Sequence, residues 1–121
     1  MTRGPVPHQA IDAALAAAGK RGIVSLCRRG RGSVCDIVIH AKGVTIAAMI
    51  RRCRRLHAPI VELERQFADA IAQLRLLPDD QCRFRELWAC SPRGVLRFFR
   101  VLKGGLSEID AAGLPLAGGS G

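Results

Sequence analysis

The chain has few aromatic side chains, 4% of 121 residues, and no unbroken apolar run long enough to form a membrane span. The opening MTRGPVPHQA has no apolar core of the kind a secretory signal needs. A soluble, cytoplasmic protein without a membrane partner is the expectation. The aromatics, Phe67, Phe84, Trp88, Phe98 and Phe99, fall at core-like periods. A sheet that stacks exposed bases is therefore not supported, and Trp88 is expected inside. Closely spaced cysteine pairs are also missing. The five cysteines (Cys27, Cys35, Cys53, Cys82 and Cys90) include no C-x-x-C and sit inside apolar runs. The interval from Cys27 to Cys35 equals that from Cys82 to Cys90, but no second close ligand pair accompanies either, so they read as reduced structural thiols rather than a zinc site. No internal repeat is present.

Acid is scarce as well. Nineteen Lys and Arg oppose ten Asp and Glu, a formal charge of +9, and sixteen of the nineteen are arginine. A planar guanidinium grips phosphate oxygens bidentately where an ammonium cannot, so a polyanionic partner is the first expectation. The imbalance is local. Residues 20–55 hold ten basic side chains against one acid, Asp36.

What remains is enough for one domain, since 49% apolar residues over this length can cover a modest sheet. The expected organisation is a flexible leader at 1–8, a single α/β domain at 9–110 and a disordered tail at 111–121. Residues 9–18 are alanine-rich and precede Gly19, which predicts a helix. GIVSLCR at 22–28 and VCDIVI at 34–39 predict a hairpin across a basic, Gly-rich connection, and the continuously apolar VTIAAMI at 44–50, after a turn at His40–Gly43, predicts a central strand. From Ile60 to Leu77 the apolar positions follow one helical face between Pro59 and Pro78. CRFRELWAC at 82–90 and GVLRFFRVL at 94–102 predict a second hairpin around Ser91–Gly94. The order is α-β-β-β-α-β-β, a mixed sheet flanked by helices.

Asp36 interrupts an apolar strand, where an ionised carboxylate is costly unless a metal or an arginine pairs with it. On the following strand Met49 and Arg51 share a face. The run GIVSLCRRGRGSVCDIVI, followed by VTIAAMIRRCRR, resembles archaeal Holliday junction resolvases and the wider restriction-endonuclease-like PD-(D/E)xK nucleases over roughly residues 9–56. The resemblance implies a restriction-endonuclease-like fold in which Asp36 is the metal-binding aspartate. It also puts Met49 where the second acid belongs and Arg51 where the lysine belongs. Both departures matter chemically. A thioether is a poor ligand for Mg²⁺, and a guanidinium stays protonated and cannot serve as a general base.

Three readings follow. The first is a degenerate nuclease fold that binds DNA, ahead of structured RNA, through Arg28, Arg29, Arg31, Arg52, Arg54 and Arg55, with Asp36 paired to Arg51. In the second, an active Mg²⁺-dependent endonuclease joins Asp36 to a displaced acid, with Asp12, Glu62, Glu64 and Glu86 as candidates. The third is a basic scaffold subunit that meets an acidic protein. The family analogy adds a homodimer. His8, His40 and His57 have no ligand spacing and no nucleophile partner, and none is assigned a role.

Overall fold

The computed structural model describes residues 8–27 and 35–116. Helix α1 (His8–Gly19) leads into strands β1 (Ile23–Leu26), β2 (Ile37–Ala41) and β3 (Val44–Arg52). Helices α2 (Ile60–Gln66) and α3 (Ala68–Leu74) then cross to β4 (Arg83–Cys90), β5 (Leu96–Leu102) and β6 (Gly105–Ile109). The sheet runs in chain order from β1 to β6. All neighbours are antiparallel except β3 and β4, which run parallel from Thr45↔Arg83 to Arg52↔Cys90. A parallel pair needs a crossover, and α2 with α3 supplies it.

Both faces of the sheet are covered, as the apolar run of β3 implies. On one face Ala14 and Ala18, a turn apart on α1 and fully buried, pack over Ile37, Ile39, Ile46, Ile50 and Trp88. Alanines there let the helix sit close. Trp88 is fully buried and meets Phe98 edge-on with ring centroids 4.8 Å apart. On the opposite face Leu63, Phe67, Ile71 and Leu74 from α2 and α3 cover Met49, Leu87, Phe99 and Val101.

Several expectations change. The helix expected over 60–77 is bent at Phe67 (φ −106°, ψ 28°) and gives way to tight turns after Leu74. The hydrogen-bond ladder survives the bend, with Phe67 N–H donating to Leu63 O at 2.9 Å and Ile71 N–H to Phe67 O at 2.9 Å. No proline or glycine marks the place. The turn expected at His40–Gly43 tightens to Lys42–Gly43. His40 and Ala41 stay in β2, and Gly43 takes the positive φ (78°) that its position requires.

A sixth strand, β6, extends the expected order, and GLSEI has neither a long apolar run nor clean alternation to mark it. The order is accordingly α-β-β-β-α-α-β-β-β. Past it, Pro115 bridges Ile109, and the Asp110 carboxylate accepts the N–H groups of Ala112 and Leu114 at 2.9 Å each. Residues 1–7 of the expected leader and 117–121 of the tail lie outside the described residues, and among the described residues no helix is long and apolar enough to cross a membrane.

Candidate nucleic-acid interface

Antiparallel pairing of β2 with β3, and parallel pairing of β3 with β4, bring the start of β2 and the ends of β3 and β4 to one end of the sheet. Asp36 stands one residue before β2, not within a strand as expected, although its N–H still donates to Ala48 O at 2.9 Å. Its carboxylate continues where the ladder stops. Oδ2 accepts the N–H of fully buried Ile50 at 2.7 Å, which gives that donor the acceptor a longer β2 would have supplied.

The same oxygen lies 3.3 Å from Arg51 Nη1, and that nitrogen also donates to Ile50 O at 2.8 Å. One nitrogen of the guanidinium thus makes both bonds. Met49 is 2% exposed and packs in the core beneath α2 and α3. The displaced acids considered above are committed elsewhere. Glu62 accepts from Arg55 at 2.7 Å, Glu64 accepts the Leu106 N–H at 2.9 Å, and Glu86 accepts from Arg21 and Trp88. Asp12 is exposed on α1. Among the described residues, no group of three or more His, Cys, Asp or Glu side chains could hold a metal ion. One carboxylate already bound by a guanidinium and an amide does not fit the oxygen-rich shell that Mg²⁺ demands.

The arginines expected to bind nucleic acid divide in two. Arg28, Arg29 and Arg31 lie outside the described residues. Arg52, Arg54 and Arg55 are exposed and line a hollow of about 420 Å³ with Cys53, Gln66 and Pro92, where β3 ends and β4 turns into β5. Arg93 in that turn is a further exposed cation that the sequence reading passed over. Carboxyl ends of parallel strands are where open α/β sheets commonly receive ligands. A larger hollow of about 870 Å³, lined by His40, Thr45, Asp80 and Arg83 among others, lies at the opposite end.

Much of the arginine excess works internally instead. Arg21 pairs with fully buried Glu86 through two bonds of 2.8 Å. Arg85, 4% exposed, donates to the carbonyls of Arg75, Leu77 and Val101 and so closes the chain leaving α3. Arg97 bonds the carbonyls of Leu56 and Ala58 and grips Glu108 bidentately. An arginine set among apolar residues, as Arg85 is in FRELW and Arg97 in LRFF, was the available signal for buried roles.

The cysteines also separate. Cys53 and Cys90 are buried, and burial pushes both thiols up. Cys82 is exposed and precedes β4 while Cys90 ends it, so roughly 25 Å of extended strand divides them and they cannot share a metal. Cys27 and Cys35 are half-buried with their Sγ atoms 2.7 Å apart. Burial, the Cys27 thiol and the Asp36 charge together push the Cys35 thiol up to about 12.

No protein-family model and no curated protein matches the chain. A solved structure does: the 1.6 Å structure of Archaeoglobus fulgidus Hjc, described as a Holliday junction resolvase from an archaeal hyperthermophile. It aligns with TM-score 0.56 and 20% identity over 95% of this chain and 100% of that one. The fold is resolvase-like. On a resolvase-like fold, which hosts function without determining it, the chemistry of this chain must be read from its own residues.

Proposed function

We propose that this chain binds the phosphate backbone of nucleic acid, DNA ahead of RNA, through the arginine-rich end of its resolvase-like sheet, and that hydrolysis has been lost. The observation that carries the reading is the guanidinium of Arg51 at the Asp36 carboxylate, with a buried methionine two residues before it. An arginine at that place neutralises the acid and leaves no base to activate water. Exposed Arg52, Arg54, Arg55 and Arg93 support backbone binding, because phosphate contacts need positive charge and bidentate donors but no metal.

The test is binding and cleavage measured together on four-way junction, duplex and single-stranded DNA and on structured RNA, with Mg²⁺ and with Mn²⁺. Salt-sensitive binding without strand scission is expected. Cutting that disappears in Asp36→Ala would replace this reading with that of an active metal-dependent endonuclease. Affinity that does not change between low and moderate salt would remove the phosphate-binding role altogether.

A further inference from the structure

Cys27 and Cys35 bound residues 28–34 and are held against each other by the sheet. The Cys27 N–H donates to Asp36 O at 2.9 Å, and Leu26 pairs with Ile37. The sulfur atoms are 2.7 Å apart, and a covalent bond of about 2.0 Å needs only roughly 0.7 Å of further approach. Both thiols are half-buried rather than sealed in the core, unlike Cys53 and Cys90, so a small oxidant can reach them.

We infer that Cys27 and Cys35 form a reversible dithiol–disulfide site, oxidised by exchange with a small disulfide of the glutathione type. The Cys27 thiolate attacks a sulfur of glutathione disulfide, forming a mixed disulfide on Cys27 and releasing one glutathione thiolate. Cys35, whose pairing with the Cys27 thiol ends once that sulfur is capped, then attacks the Cys27 sulfur of the mixed disulfide, its proton passing to the departing glutathione. Two electrons and two protons pass from the cysteine pair to one glutathione disulfide, which leaves as two molecules of glutathione. The second step is intramolecular between sulfurs already in contact, which favours ring closure over accumulation of the mixed disulfide. Cys35 directly precedes Asp36, so the bond anchors the chain entering the ion pair with Arg51. The site stands whether or not nucleic acid binds.

The test is equilibration of the whole chain in buffers of graded glutathione disulfide to glutathione ratio, followed by acid quenching, alkylation and peptide mapping by mass spectrometry. The expected result is joint loss of the Cys27 and Cys35 thiols, with a Cys27–Cys35 cross-linked peptide, no glutathione retained on either of the two, and full reversal by dithiothreitol. In Cys35→Ser, Cys27 should instead retain glutathione, and Cys27→Ser should do the same to Cys35. Stable mixed disulfides at both positions of the unaltered chain would overturn the inference. So would two unmodified thiols under conditions that modify exposed Cys82.

Discussion

Asp36 is tied more closely to the backbone of Ile50 than to the side chain of Arg51, at 2.7 Å against 3.3 Å. The shorter bond satisfies a buried amide, while the longer one joins side chains that are 32% and 37% exposed. Leaving a buried donor unsatisfied costs about 1–3 kcal/mol, whereas a half-exposed ion pair contributes about 0–1 kcal/mol. Asp36→Ala is therefore expected to destabilise the fold by the larger amount and Arg51→Ala by the smaller, measured by urea unfolding. Equal losses would show that the ion pair, and not the amide bond, is what Asp36 supplies.

Glu86 is fully buried and serves two donors, the Arg21 guanidinium and the Trp88 Nε1 at 2.8 Å. Removing one member of such a pair costs about 3–5 kcal/mol, while replacing both with apolar side chains is often neutral. Glu86→Ala should accordingly show the full loss. Arg21→Met combined with Glu86→Leu should recover part of it, the rest staying lost because the buried Trp88 Nε1–H keeps no acceptor, and a double variant no better than Glu86→Ala would contradict the assignment.

If the arginine-rich end carries the phosphate contacts, the salt dependence should count them. Each lost contact lowers the slope of log affinity against log salt by about 0.9 on duplex DNA. Arg52→Ala, Arg54→Ala and Arg55→Ala together are expected to flatten the slope stepwise. Lys42→Ala, in the turn at the far end of the sheet, should leave it unchanged. A change of the same size from Lys42→Ala would mean diffuse attraction rather than a binding end.

Asp80 accepts from the Arg83 side chain at 2.6 Å and from the Cys82 N–H at 2.8 Å, and these bonds, the Arg83 one foremost, hold its carboxyl below the usual value of 3.8. A depressed carboxyl pKa favours the fold above the unfolded value, and the contribution is lost as pH falls through the folded one. Carboxyl NMR titration should place Asp80 below 3.8 in the unaltered protein and move it upward in Arg83→Ala. An unmoved titration would assign the shift to the Cys82 amide.

Legibility in the sequence tracked how local each signal was. VTIAAMI announced β3 because burial on both faces leaves a continuous apolar run, and the period of Leu63, Phe67, Ile71 and Leu74 announced the crossover. The bend at Phe67 and the edge strand β6 left no such trace, since neither breaks a local rule. At the site, the spacing of Asp36, Met49 and Arg51 was readable. The service of Asp36 to the Ile50 amide was not, because it depends on where β2 begins. Net charge misled in part: Arg85 and Arg97 count toward the excess but bond carbonyls and carboxylates inside the protein.

The lone parallel pairing of β3 with β4 divides the sheet into two meanders of three strands. The closest turns within them are short, Lys42–Gly43 and Lys103–Gly104, while joining β3 to β4 means closing a loop over residues 53–82. Contact order therefore concentrates at that seam, where closure entropy must be met before packing rewards it. Leu87→Ala on the seam should slow refolding in stopped-flow measurements, whereas Val101→Ala on β5 should mainly hasten unfolding. The arginine-rich end gathers its cations from both meanders, Arg52, Arg54 and Arg55 from one side and Arg93 from the other, so it comes into being only when the halves meet.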